Sequence, residues 1–255
     1  MRIVVCIKPV PDTAARIKVH KDGARIDPDG VKFTLGPYDS RCIARAVALK
    51  GAGEVVALAA GAASGEAEAK KRIKDALALG CDKGVFVPDP APENRDPLAV
   101  AKALASAIQG QGGADLIFCG RQATDDQALA VGPMLATLLD LPCVTDAVGI
   151  EVTGGSARVQ RAAEGRVETL EVTLPAVITG QRDIGDEQYP KLKEILAAGK
   201  KPIAEHKVEW AAAKYAVAGL VPPPEKAPGK IVGEGPDAVP ALLNLLQTEA
   251  KALAL

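Results

Sequence analysis

Gly120-Arg121-Gln122-Ala123-Thr124-Asp125-Asp126-Gln127-Ala128-Leu129-Ala130-Val131-Gly132-Pro133-Met134 is the stretch whose reading decides the fold. The run before it, Ala114 to Cys119, predicts a buried strand, and after it Leu135, Leu138 and Leu139 recur at helical spacing. The stretch is a strand-to-helix junction. At the carboxyl end of a parallel strand Gly120 lets the backbone turn tightly, and the first N–H groups of the next helix lack intrahelical partners and can receive an anion. Asp125 and Asp126 repel bare phosphate but suit a helix cap or a ribose hydroxyl, so a nucleoside fits better than free phosphate. Pro133 sits badly deep inside a helix; either the helix starts near it, behind a long ligand-facing loop, or it kinks there.

Working outward, residues 2–7 (Arg-Ile-Val-Val-Cys-Ile) predict a first strand, and two prolines in Lys8-Pro9-Val10-Pro11-Asp12 argue against regular structure after it. Ile17-Lys18-Val19 and Val31-Lys32-Phe33 read as small β excursions on the sheet rim. A helix is expected from about Ser40 to Lys50, capped by Asp39 or Ser40, then a strand over 54–60, a turn over 61–65, a helix over 66–79 and a strand at Gly84 to Pro88. A proline loop (88–97) and a helix over 98–108 lead back to the junction. This order predicts an open parallel α/β sheet of Rossmann-like type, with its ligand crevice at the carboxyl ends of the strands.

Past Leu141 the texture turns to strands at 148–152, 157–161, 166–173 and 176–180, with Gly154-Gly155 and Glu164-Gly165 as hairpin turns. Residues 1–182 are therefore read as the α/β domain with its β-hairpin region. Residues 183–255, rich in Pro, Gly and Lys and ending in an amphipathic helix near 239–253, read as an arm that wraps another surface.

Composition narrows the function. A formal net charge of -1 and 3% aromatic residues give no polyanion-binding surface, so nucleic acid is not expected. The apolar run at Ile3 to Ile7 is too short for a signal peptide or a membrane span, which points to the cytoplasm or a matrix-like compartment and to no direct membrane insertion. Five scattered cysteines and two histidines supply neither a disulfide framework nor a zinc site, and Cys6 and Cys119 read as small buried thiols. No Gly-Lys is followed by Ser or Thr, which excludes a P-loop; Gly233-Glu234-Gly235-Pro236-Asp237-Ala238 fits a dinucleotide fingerprint but has no strand to follow it. Without a nucleophile elbow, a zinc-binding His pair or a triad, no catalytic residue is assigned and the chain reads as a carrier rather than a stand-alone enzyme. An ATP-consuming ligase on a similar sheet needs a Ser-Gly-Gly-x-Asp-Ser type loop after the first strand, which Lys8-Pro9-Val10-Pro11 is not.

Several motifs recur in order across most of the chain: Lys8-Pro9-Val10-Pro11-Asp12-Thr13, Gly36-Pro37-Tyr38-Asp39, Gly120 to Asp126, Val159-Gln160-Arg161 through Glu168-Thr169-Leu170 to Leu174-Pro175-Ala176-Val177, Tyr189-Pro190-Lys191-Leu192 and Lys200-Lys201-Pro202-Ile203. In these the chain resembles the beta subunit of electron transfer flavoproteins. The resemblance implies an adenine-nucleotide-hydrolase-like fold, acting as half of a heterodimer whose alpha subunit carries the electron-transferring FAD. It further implies an adenine nucleotide, FAD or AMP, on this chain, held by Cys6, Gly36, Pro37, Tyr38, Asp39, Ala60 and the junction residues Gly120, Arg121, Gln122, Ala123, Thr124, Asp125, Asp126, Gln127, Ala128, Leu129, Ala130 and Val131.

On that reading, backbone groups near Cys6 and Ala60 face the adenine edge, Asp125 or Asp126 the ribose, and N–H groups at Ala128 to Val131 the phosphate. Arg121, the one cation within the junction, reads either as a ligand contact or as a solvated side chain. The segment Tyr189 to Lys201 corresponds to the family's loop for docking flavin dehydrogenases, with Leu192 and Ile195 as apolar anchors or else as internal packing. Arg161 and Glu168 fall where the family meets the flavin domain of alpha, and read equally as a cross-strand ion pair.

The chain departs from the family at one point. AMP-binding members place Asn-Gln-Thr where Leu129-Ala130-Val131 stands, whereas Val131-Gly132-Pro133, Asp39 and Pro11-Asp12-Thr13 look more like members holding a second FAD that bifurcates electrons. Those members usually read Asp-Gly-Asp-Thr-Ala-Gln at Asp125 to Ala130, so the sequence sits between the types, with a second FAD preferred. Electron carriage from flavin dehydrogenases toward a quinone-linked acceptor is the function expected, with bifurcation as the alternative and a non-redox adenine-nucleotide sensor as the reading from another class.

Overall fold

Alternation along one short strand sets up both faces of the sheet. In Arg2–Cys6 (β1), Ile3 and Val5 enter one apolar cluster while Val4 and Cys6 enter a second one on the opposite face. The first cluster is closed by helices Pro37–Leu49 (α1) and Glu66–Ala78 (α2), the second by Pro97–Gly110 (α3) and Val131–Leu139 (α4). The computed structural model describes residues 1–61, 64–91, 95–225 and 228–253; Ala62 and Ala63 of the turn expected after strand two, and residues 92–94 of the proline loop, lie outside the described residues.

The remaining strands are Pro9–Pro11 (β2), Phe33–Leu35 (β3), Glu54–Ala60 (β4), Lys83–Val87 (β5), Leu116–Gly120 (β6), Cys143–Thr153 (β7), Ser156–Ala163 (β8), Arg166–Thr173 (β9), Ala176–Gly180 (β10) and Ile203–Glu205 (β11). A nine-stranded sheet runs β11-β5-β4-β1-β6-β10-β7-β8-β9, parallel from β11 through β7 and antiparallel through β8 and β9. Strand order steps outward from β1 through β4 and β5, then returns to β6 on the other side of β1. The ligand crevice of such a sheet opens at that reversal, above the carboxyl ends of β1 and β6.

Four features differ from the sequence reading. Pro9–Pro11 is regular: it pairs with β3, with Gly36 N–H donating to Lys8 O and Asp12 N–H to Lys32 O on either side. Both prolines fall on the outward-facing positions of this ladder, where a missing N–H costs nothing. The last of the strands read after Leu141, fully buried β10, inserts between β6 and β7 as a central parallel strand, a position the sequence reading did not assign. Residues 183–220 pack within the same compact unit, Met1–Leu220, instead of leaving it. There Ile203–Glu205 extends the sheet beside β5, Lys201 Nζ donates to the carbonyls of Leu77 and Cys81 at the end of α2, and Trp210 Nε1 donates to Pro88 O. The second unit, Val221–Leu255, contains helix Val239–Thr248 (α6), which buries none of its residues.

The fourth difference is Asp39. The helix starts at Pro37 with Gly36 as an N-cap that has no side chain to offer, so Asp39 lies inside the first turn and is not the cap. Its buried carboxylate instead accepts from the backbone N–H of Lys8, at 2.9 Å, and from that of Gly120. One side chain thereby joins the loop after β1, the start of α1 and the end of β6. A Cβ on Gly36 or on Gly120 would run into its oxygens, so both glycines are required by the contact. At the far end of the junction Gly132 seats α4 on β10, where a Cβ would lie 2.5 Å from Thr179 Cγ2.

Burial pushes the Asp39 carboxyl up to about 7, against the opposing pull of the two backbone donors and Lys8. Between roughly pH 4 and 7 the folded chain therefore holds a proton that the unfolded chain has released, and this group's contribution to stability falls as pH rises through that window. Chemical denaturation at pH 4.5, 6 and 7.5 is expected to show that decline in the parent chain and its loss in Asp39→Asn. Asp39→Ala leaves two buried N–H groups without acceptors and should cost about 2–4 kcal/mol. Gly132→Ala should cost about 1–3 kcal/mol through overpacking of α4 against β10, read in the same titration.

Candidate functional site

The crevice is assembled from three loops that are distant in sequence. Cys6 ends β1, Gly36 to Asp39 open α1, and Gly120 to Ala130 run from the end of β6 to the start of α4; the Asp39 carboxylate ties them together. Ala60 ends β4, the strand next to β1, two residues beyond the Leu58 that pairs with Cys6. The nucleotide-contact candidates on this part of the chain thus share one end of the sheet.

The junction is a long irregular loop held in a defined shape. Gln127 N–H donates to Ala123 O, Ala128 N–H to Asp126 Oδ1, and Gln127 and Leu129 adopt left-handed backbone angles, φ 49° and 54°. Such angles are uncommon outside glycine and are held only where the surroundings enforce them. Helix α4 then begins at Val131 behind Ala130, with no side chain capping it. Its first backbone N–H groups are left to the crevice, and Pro133 has none to satisfy. An uncapped helix start of this kind can receive an anion.

The acidic pair is partly offset from within. Lys8 Nζ donates to Asp125 Oδ1 and to Asp126 Oδ2, each at 2.9 Å, and bridges the loop after β1 to the junction. Desolvation pulls the Lys8 ammonium down, but Asp125 and Asp126 outweigh it and hold it above the usual lysine range. Lys8 was absent from the sequence-derived site, and its place in a shared motif was the available signal. Arg121 keeps 32% of its side chain exposed but is not free: its guanidinium pairs with Asp146, which also accepts from Gln181 Nε2 at 3.1 Å, and its backbone N–H donates to Gly180 O. It is therefore turned toward β7 and β10.

Beside the junction a cavity of about 280 Å³ is lined by Asp12, Thr13, Ser40, Arg41, Thr124 and Arg182, among others. Thr124 Oγ1 is buried there without a hydrogen-bond partner among the described residues. The Arg182 guanidinium lies 5.4 Å from the Tyr38 ring centroid. Arg41 is paired with Glu187 at 3.0 Å, whereas Arg182 has no ion pair among the described residues. Sequence reasoning missed Arg182, since nothing near it in the chain suggests Tyr38.

The partner-surface candidates lie elsewhere. Arg161 and Glu168 face each other in register across β8 and β9, 3.7 Å apart, and Arg166 also pairs with Glu168 at 2.8 Å. Helix Leu192–Ala198 (α5) packs on α2 through the buried Ala198, while Tyr189 (79%), Leu192 (71%), Ile195 (50%) and Leu196 (66%) are exposed. Leu192 thus presents most of its side chain to solvent and Ile195 half of it. Leu196 completes an i, i+3, i+4 apolar face that the sequence already displays. The Glu194 carboxylate accepts the Lys191 N–H at 2.6 Å and fixes the start of this helix. The two surfaces occupy different parts of the fold: α5 packs on α2, whereas β8 and β9 close the far edge of the sheet.

Comparison with known proteins agrees with this geometry. Residues 24–211 match the family model described as the electron transfer flavoprotein domain. The chain is 35% identical to an electron transfer flavoprotein subunit beta from Syntrophomonas wolfei, covering 98% of this chain and 99% of that one. It is 33% identical to a protein of the same name from Bacillus subtilis, covering 99% and 100%, and 33% identical to that from Homo sapiens, covering 96% and 98%. With similarity running through the whole crevice and both candidate surfaces, the chain belongs to the electron transfer flavoprotein family, on the side of its beta subunits.

Proposed function

We propose that this chain is the nucleotide-bearing half of a heterodimeric electron carrier, binding an adenine nucleotide between the ends of β1, β4 and β6 and pairing with an alpha subunit that holds the electron-transferring FAD. The observation that carries the reading is the convergence of Cys6, Gly36 to Asp39 and Gly120 to Val131 on an uncapped helix N-terminus at the reversal of strand order. The residues fit the group. Phosphate would be held by backbone N–H groups at Val131 and Gly132, because Leu129, Ala130 and Val131 bring no side-chain donors. The ribose would lie near Asp125 and Asp126, and the base against the strand ends at Cys6 and Ala60.

A second FAD is favoured over AMP by the space next to the junction. AMP needs only the crevice, whereas a dinucleotide extends beyond it, and the neighbouring cavity offers the unpartnered Thr124 hydroxyl and Arg182. A bound flavin supplies one- and two-electron exchange; the chain supplies binding, orientation and charge. Lys8 offsets one of the two charges of the acidic pair that would otherwise repel phosphate, Arg121 is fixed by Asp146 as a structural cation, and Arg182 is the cation left to face ligand charge. With a redox-active FAD in this site the carrier would bifurcate electrons; with AMP it would be a plain carrier.

Docking of flavin dehydrogenases is assigned to Tyr189, Leu192, Ile195 and Leu196, whose exposure supports an anchor that fills a partner pocket. Arg161 and Glu168 are assigned to the surface that meets the alpha flavin domain. The exposed apolar face of α6, with Val239, Leu242 and Leu243, is assigned to the alpha subunit as well.

Two measurements test these assignments. Denaturing the co-purified heterodimer and separating the released nucleotides should yield two FAD and no AMP. One FAD with one AMP overturns the dinucleotide reading, and no nucleotide attributable to this chain overturns the site. Leu192→Asp should slow reduction of the carrier by its dehydrogenase about 30-fold or more while leaving the released nucleotides unchanged, since a buried anchor carries about 2 kcal/mol or more of an interface. An unchanged reduction rate removes the docking role from α5.

A further inference from the structure

Two sulfurs meet at the floor of the crevice. Cys6 ends β1, Cys119 is the last residue but one of β6, and the two are direct register partners across the parallel pair. Residues in register on parallel strands project to the same face, and both side chains belong to the same apolar cluster. Neighbouring strands lie about 4.8 Å apart, inside the Cα separation of about 4.4–6.8 Å that a disulfide spans. The other cysteines are placed differently. Cys42 reaches the backbone oxygen of Cys119, at 3.4 Å, from the opposite cluster, Cys81 is buried in that same cluster beyond the end of α2, and Cys143 is exposed.

We propose that Cys6 and Cys119 are a redox-active thiol pair, which peroxide converts to a disulfide across the floor of the crevice. The chemistry balances in two steps. One thiol sulfur attacks the O–O bond of hydrogen peroxide, giving a sulfenic acid and one water; the second thiol then displaces the sulfenic oxygen as a second water and forms the S–S bond. The pair is oxidised by two electrons and both thiol protons leave in water. The neighbouring Cys6 thiol, together with burial, holds the Cys119 thiol well above its usual range, so the attacking thiolate is scarce and oxidation of the pair is slow. Peroxide is close to water in size, and Cys6 and Cys119 keep 7% and 5% of their surface exposed.

The bond would be felt where α4 begins. The Cβ position of Gly132 lies 3.5 Å from Cys119 Cβ and 3.8 Å from its Sγ, so the first turn of α4 rests on this residue. Turning the Cys119 sulfur toward Cys6 changes that seat and links thiol state to the anion-receiving N–H groups. This link rests on the nucleotide reading above, whereas the pairing of the thiols does not.

The test is peptide mapping of the full chain, purified with its alpha subunit, exposed to hydrogen peroxide, alkylated to trap free thiols and digested. The expected product is a linked pair of peptides carrying Cys6 and Cys119, short of two hydrogens, released by dithiothreitol, lost in Cys119→Ser and retained in Cys42→Ala. Recovery of both as alkylated thiols after Cys143 has been oxidised overturns the proposal, as does either one appearing as sulfinic or sulfonic acid without a linked product, or a link from either to Cys42. Mapping of the parent chain decides the matter even where Cys119→Ser fails to fold. Nucleotide released from the same sample keeps the two readings apart, because a disulfide found without any nucleotide on this chain sustains the pair and removes the nucleotide site.

Discussion

The carboxylate of Asp39 is the constraint on which the crevice depends. Three segments distant in sequence meet at its two oxygens: the loop after β1 through Lys8 N–H, the junction through Gly120 N–H, and α1 through the residue itself. Backbone N–H groups buried at strand ends need acceptors, and a single buried side chain provides for two of them. The cost falls on the carboxyl, which loses water and is pushed up to about 7. The same contact accounts for Gly36 and Gly120, since a side chain at either would displace it. Rigidity at the mouth of the sheet therefore comes from one acidic residue and two glycines.

Around that fixed point the chain separates binding from docking. The crevice is built from irregular loops anchored to rigid parallel strands, as ligand sites in doubly wound sheets generally are. The candidate partner surfaces lie outside it, on the β8–β9 ladder and on α5. A carrier that must hold a nucleotide while exchanging partners benefits from this separation, because contacts at α5 leave the ends of β1 and β6 undisturbed. Lys201, at the end of the segment proposed for docking, points inward to the carbonyls of Leu77 in α2 and of Cys81 just beyond it, and fastens the segment's base.

The fold was legible wherever local pattern and burial agree. Strand-helix alternation through α4, the hairpin glycines Gly154 and Gly165, and the apolar run of β10 all carry their structure in neighbouring residues. The place of β10 between β6 and β7 was not legible, because a fully buried strand signals its environment but not its neighbours. Pro9 and Pro11 misled for a related reason: proline excludes a ladder position only on the hydrogen-bonded side, and the side is fixed by a partner strand that begins at Phe33. Asp39 and Lys8 were hidden by distance along the chain, 31 residues from Asp39 to Lys8 and 117 from Lys8 to Asp125. An aspartate beside a helix start reads as a cap until the structure supplies better donors.

The Lys8 bridge also removes an objection raised by the sequence itself. Two adjacent carboxylates in a loop proposed to receive phosphate oppose binding, and Arg121 seemed the only local charge to offset them. In the folded chain Arg121 is committed to Asp146, while Lys8 cancels much of the field of Asp125 and Asp126 from the opposite loop. Attraction at the end of the junction is then left to the backbone N–H groups opening α4 and their share of the helix dipole. On the proposed reading such a site would hold phosphate through fixed dipoles rather than mobile cations. It needs no side chain at Leu129, Ala130 or Val131, which is why the absence of polar residues there is compatible with the crevice they line.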